Sequence, residues 1–289
     1  MPVDGGDLRV GRWRTGRSGS VGPTVVAVHG VTGNHLAWSL LARHSPYEVV
    51  APDLRGRGRS SGVAGPAGMR AHTADLCSVL DHLELDRAIL VGHSMGGFVV
   101  SCFAAAHPDR VASVLLVDGG LPLPEPPAGL SPDEVVAATI GPAAQRLEMT
   151  FADTGTYLDF WRDHPALGPA WSPEVAAYFA YDLVGDPPSC RSSVSLAAVR
   201  DDSVDLLDTM PVAERVRALP AGTTFLRATH GMMGDPGGLY PRDLVEQHAA
   251  DFPQLRIRDV DDTNHYTLVM SEPGARTVAA ALTGSTGED

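Results

Sequence analysis

The sequence predicts an α/β fold: a mostly parallel sheet flanked by helices, with a helical block inserted late in the chain. Two observations carry this. Short, β-branched, apolar runs recur, each followed by a longer helical pattern, the signature of parallel strands joined by crossover helices. Near the middle, strand signals stop after Val117 and return only at Thr223.

Taken in order, the runs predict strands at Leu8–Arg14, Thr24–His29, Tyr47–Ala51, Ala88–Gly92, Val111–Val117, Thr223–Ala228 and Leu255–Val260. TVVAVHG, AILVGHS and VASVLLVDGG are apolar without alternation, as expected of strands covered on both faces. After Asp118, GGLPLPEPPAGLSPDE reads as a Pro- and Gly-rich linker leaving the sheet. From about Ser131 to Leu207 the pattern is helical only, with aromatics that include Tyr157, Trp161, Phe179 and Tyr181. Such an insert is expected to lie over the carboxyl ends of the strands, where open α/β sheets hold their ligands.

Composition narrows the function classes. The 289 residues are 44% hydrophobic, enough for one core plus a subdomain. A formal charge of −13 repels phosphate backbones and anionic bilayers, so neither nucleic acid nor membrane is an expected partner. Cys77, Cys102 and Cys190 form no CxxC pattern; an odd count without a framework fits a reducing cytoplasm. The N-terminal stretch lacks an apolar signal region, and no run reaches the ~18 apolar residues of a membrane span. The expected location is the cytoplasm.

The strongest local signal is Gly92-His93-Ser94-Met95-Gly96, set between the run AILV and the small-residue helical pattern GGFVVSCFAAAHP. Strand, sharp turn and helix are what a nucleophile elbow requires, and the flanking glycines allow the turn. A serine hydroxyl is a weak nucleophile at neutral pH and needs an imidazole to take its proton. His265, in Asn264-His265-Tyr266, is the one histidine after the final strand. A carboxylate should fix its tautomer, and two candidates end strands: Asp118 after VASVLLV, and Asp235 in THGMMGDPGG. His29-Gly30-Val31-Thr32-Gly33 closes another strand, and the N–H groups of Val31 and Met95 are the expected oxyanion donors. Asp53-Leu54-Arg55-Gly56-Arg57-Gly58-Arg59-Ser60 is read as a structural loop buttressing the sheet rather than a phosphate site. His29 and His35 are read as loop residues, and no metal or other cofactor is expected. Trp161 and Tyr266 are the expected substrate contacts, with Met149 a further one, and the lid aromatics imply a hydrophobic substrate.

HGVTG at 29–33, DLRGRGRS at 53–60, GHSMGG at 92–97 and NHY at 264–266 occur in order. Together they resemble the α/β-hydrolase superfamily, in its lidded esterase, lactonase and carbon–carbon hydrolase branch. The resemblance implies an eight-stranded sheet, a core formed by 1–120 and 211–289, and a helical cap at 121–210. It also bears on the acid. Many relatives place it where Gly231 falls here, whereas certain lactonases and dehalogenases place it at the end of the strand after the nucleophile helix, which matches Asp118. Asp118 is therefore preferred over Asp235. The expected activity is hydrolysis of a hydrophobic small-molecule ester or lactone by a monomer or homodimer. A carbon–carbon hydrolase on a vinylogous diketone, a cofactor-free haloperoxidase and a non-catalytic ligand receptor are the alternatives, the second disfavoured by the large insert.

Overall fold

The computed structural model describes residues 1–14, 22–124, 129, 134, 142–207 and 209–284. Seven strands form the central sheet: β1 Val10–Trp13, β2 Thr24–Val28, β3 Val49–Pro52, β4 Ala88–His93, β5 Val111–Val117, β6 Thr224–His230 and β7 Arg256–Asn264. Their order is β7-β6-β5-β4-β2-β3-β1, and every pairing is parallel except β1 with β3. Among the described residues, seven strands stand where the resemblance implied eight; each corresponds to one apolar run read from the sequence.

The apolar runs lack alternation because both faces of the sheet are covered. Val25, Ala27, Ile89, Val91, Leu115 and Val117 belong to one core, while Val26, Val28, Leu90, Val114 and Leu116 belong to the other. Helices α1 Met69–His82 and α2 Met95–Ala106 pack together, with Leu76, Leu80, Phe98 and Phe103 in the second core.

After β5, the Pro-rich stretch lies mostly outside the described residues. The insert then contains α3 Thr154–Arg162, α4 Pro173–Asp182, α5 Leu196–Leu207 and α6 Thr209–Arg217. Asp153 and Ser172 cap the first two by accepting hydrogen bonds from the Thr156 and Val175 amides. The all-helical reading needs correction. Leu183–Val184 pairs antiparallel with Arg191–Ser192, and Phe151 bridges to Cys190. Two-residue strands carry no periodicity by which a sequence could announce them. After β6, α7 Arg242–Asp251 leads to β7, and α8 Glu272–Gly284 closes the described chain.

Register aligns the strand ends that matter. Val28 pairs with Gly92, His93 with Val117, Val117 with Leu226, and His230 with Asn264. The residues that follow β2, β4, β5 and β7 therefore emerge along one edge of the sheet. The strand order reverses between β2 and β4, and that switch point is where an α/β sheet opens a crevice.

Candidate active site

Ser94 follows β4 directly, with φ 54° and ψ −125°, a backbone conformation disfavoured for a residue with a Cβ. Its amide is held by the Val117 carbonyl at 3.0 Å, and its carbonyl accepts from Gly97 at 2.9 Å. Glycine is required on both sides: a Cβ on Gly92 would lie 2.2 Å from the Gly96 oxygen, and one on Gly96 only 2.0 Å from that of Val28. Met95 opens α2, so its N–H belongs to the first turn that no intrahelical carbonyl reaches. The Met95 side chain is buried in the second core.

His265 and Asp118 form a buried pair. The His265 Nδ1 proton is donated to Asp118 Oδ2 at 2.7 Å, and Asp118 Oδ1 accepts from the Ala228 amide at 3.1 Å. This leaves His265 Nε2 as the nitrogen with a free lone pair. Asp118 has φ 47° and is fully buried; its own amide donates to the Leu226 carbonyl on β6. Asp235 instead lies exposed in the loop after β6, where its carbonyl accepts from the Gly231 amide. Of the two candidate acids, Asp118 is the one paired with His265.

The elbow also holds the histidine loop. His93 Nε2 donates to the His265 carbonyl at 2.8 Å, and the two rings lie 4.6 Å apart. Burial first, and then the neighbouring imidazole, push the His93 pKa well down, so this ring stays neutral.

The loop after β2 lies against the serine; a Cβ on Gly30 would approach Ser94 Oγ to 3.4 Å. His29 fixes it as a neutral imidazole: Nε2 accepts from the Leu54 amide at 3.0 Å, which leaves Nδ1 to donate to the Gly30 carbonyl at 2.8 Å. Burial lowers the His29 pKa to about 4. His35 gives both its amide and its Nδ1 proton to Asp53, which also accepts from the Arg59 amide and the Tyr181 hydroxyl. Two arginines of the 53–60 loop are buried and held by protein groups. Arg55 makes two bonds to the Asp75 carboxylate. Arg57, wholly buried, donates to the Val31 carbonyl at 2.8 Å and pairs with Asp202 on α5.

Ser94, His265, Val31 and Tyr266 line one narrow cavity of about 40 Å³, together with Thr32, His93, Tyr178 and the apolar side chains of Ala37, Ala143, Met232, Val269 and Met270. Trp161 is not part of its wall. It stacks on Phe179 at 4.1 Å beneath the Arg146 guanidinium and is 1% exposed, so its place is in the packing of the insert. Met149 likewise packs against that core and does not line the cavity.

Three participants escape a sequence reading. Tyr178 is one aromatic among many, with nothing to set it apart. His93 hides inside the elbow motif. Arg146 is a buried cation in an insert whose charges read as surface; it reaches the Thr32 carbonyl at 3.0 Å, the Tyr157 hydroxyl at 2.9 Å and Asp182. Among the described residues, no helix is long and apolar enough to cross a membrane.

Comparison with known proteins bears on the fold family. Residues 23–184 match the family model described as alpha/beta hydrolase fold. A lipase of Mycobacterium tuberculosis, LipV, is 37% identical over 169 residues, which cover 56% of this chain and 59% of the lipase. Epoxide hydrolase 2 of Siraitia grosvenorii is 34% identical over 99 residues, 32% of this chain and 31% of that protein. The chain thus matches well under two thirds of the length of either relative. In three dimensions, E-2-(acetamidomethylene)succinate hydrolase superposes with a TM-score of 0.77 over 96% of this chain and 94% of that one, at 20% identity. With the sheet order, the elbow and the family model in agreement, the chain belongs to the alpha/beta hydrolase fold family.

Proposed function

We propose that the chain is a serine hydrolase that cleaves an ester or lactone of a small hydrophobic molecule. Ser94 is the nucleophile, His265 the base, and Asp118 the carboxylate that orients it. The observation that carries this reading is the buried 2.7 Å bond from His265 Nδ1 to Asp118, with His265 and the strained Ser94 on one cavity wall. The likeness to a lipase supports the carboxylic-ester class.

In this mechanism Ser94 Oγ attacks the carbonyl carbon as its proton passes to His265 Nε2. The negative charge on the carbonyl oxygen rests on the amides of Val31, which lines the cavity, and Met95, which opens the helix after the serine. The imidazolium, stabilised by Asp118, returns the proton to the departing alkoxide. Neutral again, His265 takes a proton from water as the water oxygen attacks the acyl-enzyme, and returns that proton to Ser94 Oγ as the acid departs. A cavity of about 40 Å³ holds only a few water-sized groups, which favours short acyl chains.

The test is labelling with a fluorophosphonate probe alongside turnover of p-nitrophenyl acetate and butyrate, in wild type and Ser94→Ala. Labelling and turnover that vanish in the variant are expected. A folded wild-type chain that neither labels nor cleaves either ester overturns the proposal.

A further inference from the structure

Tyr178 and Tyr266 stand out in the cavity wall. Tyr178 comes from α4 of the insert, and Tyr266 follows the histidine of the sheet. Neither hydroxyl has a hydrogen-bond partner among the described residues, although Tyr157, Tyr181 and Tyr240 all bond theirs to protein. Both residues line the cavity that Ser94 and His265 share. A phenol that is largely out of water normally finds an acceptor.

The two rings are held in place. Tyr266 lies edge-on between His265, at 5.7 Å, and His164, at 5.4 Å. Tyr178 is edge-on to Phe179 at 4.8 Å, and Asn34 Nδ2 donates to its carbonyl at 3.1 Å. Two phenols beside Ser94 and His265, in a wall whose other side chains are mostly apolar apart from Thr32 and His93, follow the pattern of a site that orients its ligand with few polar groups. Burial raises both phenols, Tyr266 to about 12, so each keeps its proton at neutral pH.

We infer that Tyr178 and Tyr266 form a donor subsite for a second oxygen of the substrate, a carbonyl or ether oxygen in the acyl part beyond the scissile bond. The inference rests on the hydrolase reading above. The oxygen is a neutral one. Among the described residues no arginine lines the cavity, and the nearby Arg146 is committed to Asp182, Tyr157 and two carbonyls. A carboxylate would therefore be desolvated without a counter-ion. The substrate class is a short keto or alkoxy ester, or the corresponding lactone, rather than a plain fatty acyl ester.

The experiment compares near-isosteric esters: p-nitrophenyl methoxyacetate with butyrate, and laevulinate with isocaproate. Each ratio of kcat/KM is divided by the ratio of alkaline hydrolysis rates. Wild type, Tyr178→Phe, Tyr266→Phe and the double variant are measured, with thermal melts to establish folding. Wild type is expected to prefer the oxygen-bearing ester of at least one pair by roughly tenfold, and the double variant to lose that preference. A wild type without preference, variants that keep it, or variants in which both esters of a pair fall by the same factor overturn the inference.

Binding is read in parallel and needs no turnover. Ligand-observed NMR compares acetylacetone with methyl propyl ketone on Ser94→Ala, with and without the two phenylalanines. A diketone preference that the phenylalanines abolish supports the subsite; equal binding in both backgrounds refutes it. A chain that fails to label with fluorophosphonate yet shows the phenylalanine-sensitive preference would sink the hydrolase reading and leave the subsite standing.

Discussion

Replacing Asp118 with asparagine separates orientation of the base from the shape of the site. Asp118 uses its two oxygens differently: Oδ1 accepts from the Ala228 amide and Oδ2 accepts from His265 Nδ1. In Asp118→Asn the amide oxygen keeps the Ala228 bond, because an NH2 group there would face another donor. The NH2 group then points at His265 Nδ1 and donates to it. His265 is forced into the tautomer that carries its proton on Nε2, the atom that accepts the Ser94 proton in the proposed mechanism. Loss of the base in this way, with the negative charge that steadies the imidazolium, is expected to lower kcat by roughly 10³–10⁴-fold, about 4–5 kcal/mol in the barrier. The cavity itself is unchanged, so KM should move little. The assay is p-nitrophenyl butyrate turnover with fluorophosphonate labelling rates, alongside Asp235→Asn. The exposed Asp235 should tolerate its change within about twofold. If folded Asp118→Asn keeps more than a tenth of wild-type kcat, Asp118 does not act on His265 as reasoned.

Two further outcomes follow from the buried charges. Arg57→Met leaves Asp202 buried without its guanidinium and the Val31 carbonyl without its donor, so about 3–5 kcal/mol of stability should be lost; Arg57→Met combined with Asp202→Leu should regain part of it. Urea unfolding reads both, and a loss under about 1 kcal/mol for the single variant contradicts the argument. The buried neutral histidines make the fold acid-sensitive. His29 has its pKa lowered to about 4 from 6.5 by burial, so the unfolded chain binds the extra proton first as pH falls. Its contribution is complete above pH 6.5 and is lost progressively toward pH 4, about 3 kcal/mol at ~1.4 kcal/mol per unit. His93 adds in the same direction. Urea midpoints that stay flat between pH 6.5 and 4 would show that these rings are not held neutral by the fold.

The sheet was legible because burial on both faces leaves a dense apolar mark. All seven strands fall where the runs are, with edges displaced by a few residues. The largest extension is in β7, which continues through polar Asp261, Asp262 and Thr263 to Asn264; it is an edge strand, and its outer residues need not be apolar. The choice between Asp118 and Asp235 was open for a different reason. Both follow sheet strands on the side of the histidine loop, and what separates them is the pairing of β5 with β6 and the positive φ at Asp118, neither of which is written in residue type. The insert was read only in outline. Aromatic content announced that it packs, but not that Trp161 would turn inward while Tyr178 reached the cavity. Arg57 and Arg146 were the hardest to foresee, since a guanidinium is expected in water and both are almost wholly buried.

The bond from His93 to the His265 carbonyl spans 172 positions of sequence, and it ties the elbow to the loop that carries the base. With the pairing of β4 and β5 beneath them, it references Ser94, His265 and Asp118 to one another across the sheet. Tyr178 is referenced to the insert. The insert therefore shapes which molecules are admitted while supplying neither the serine, the histidine nor the aspartate.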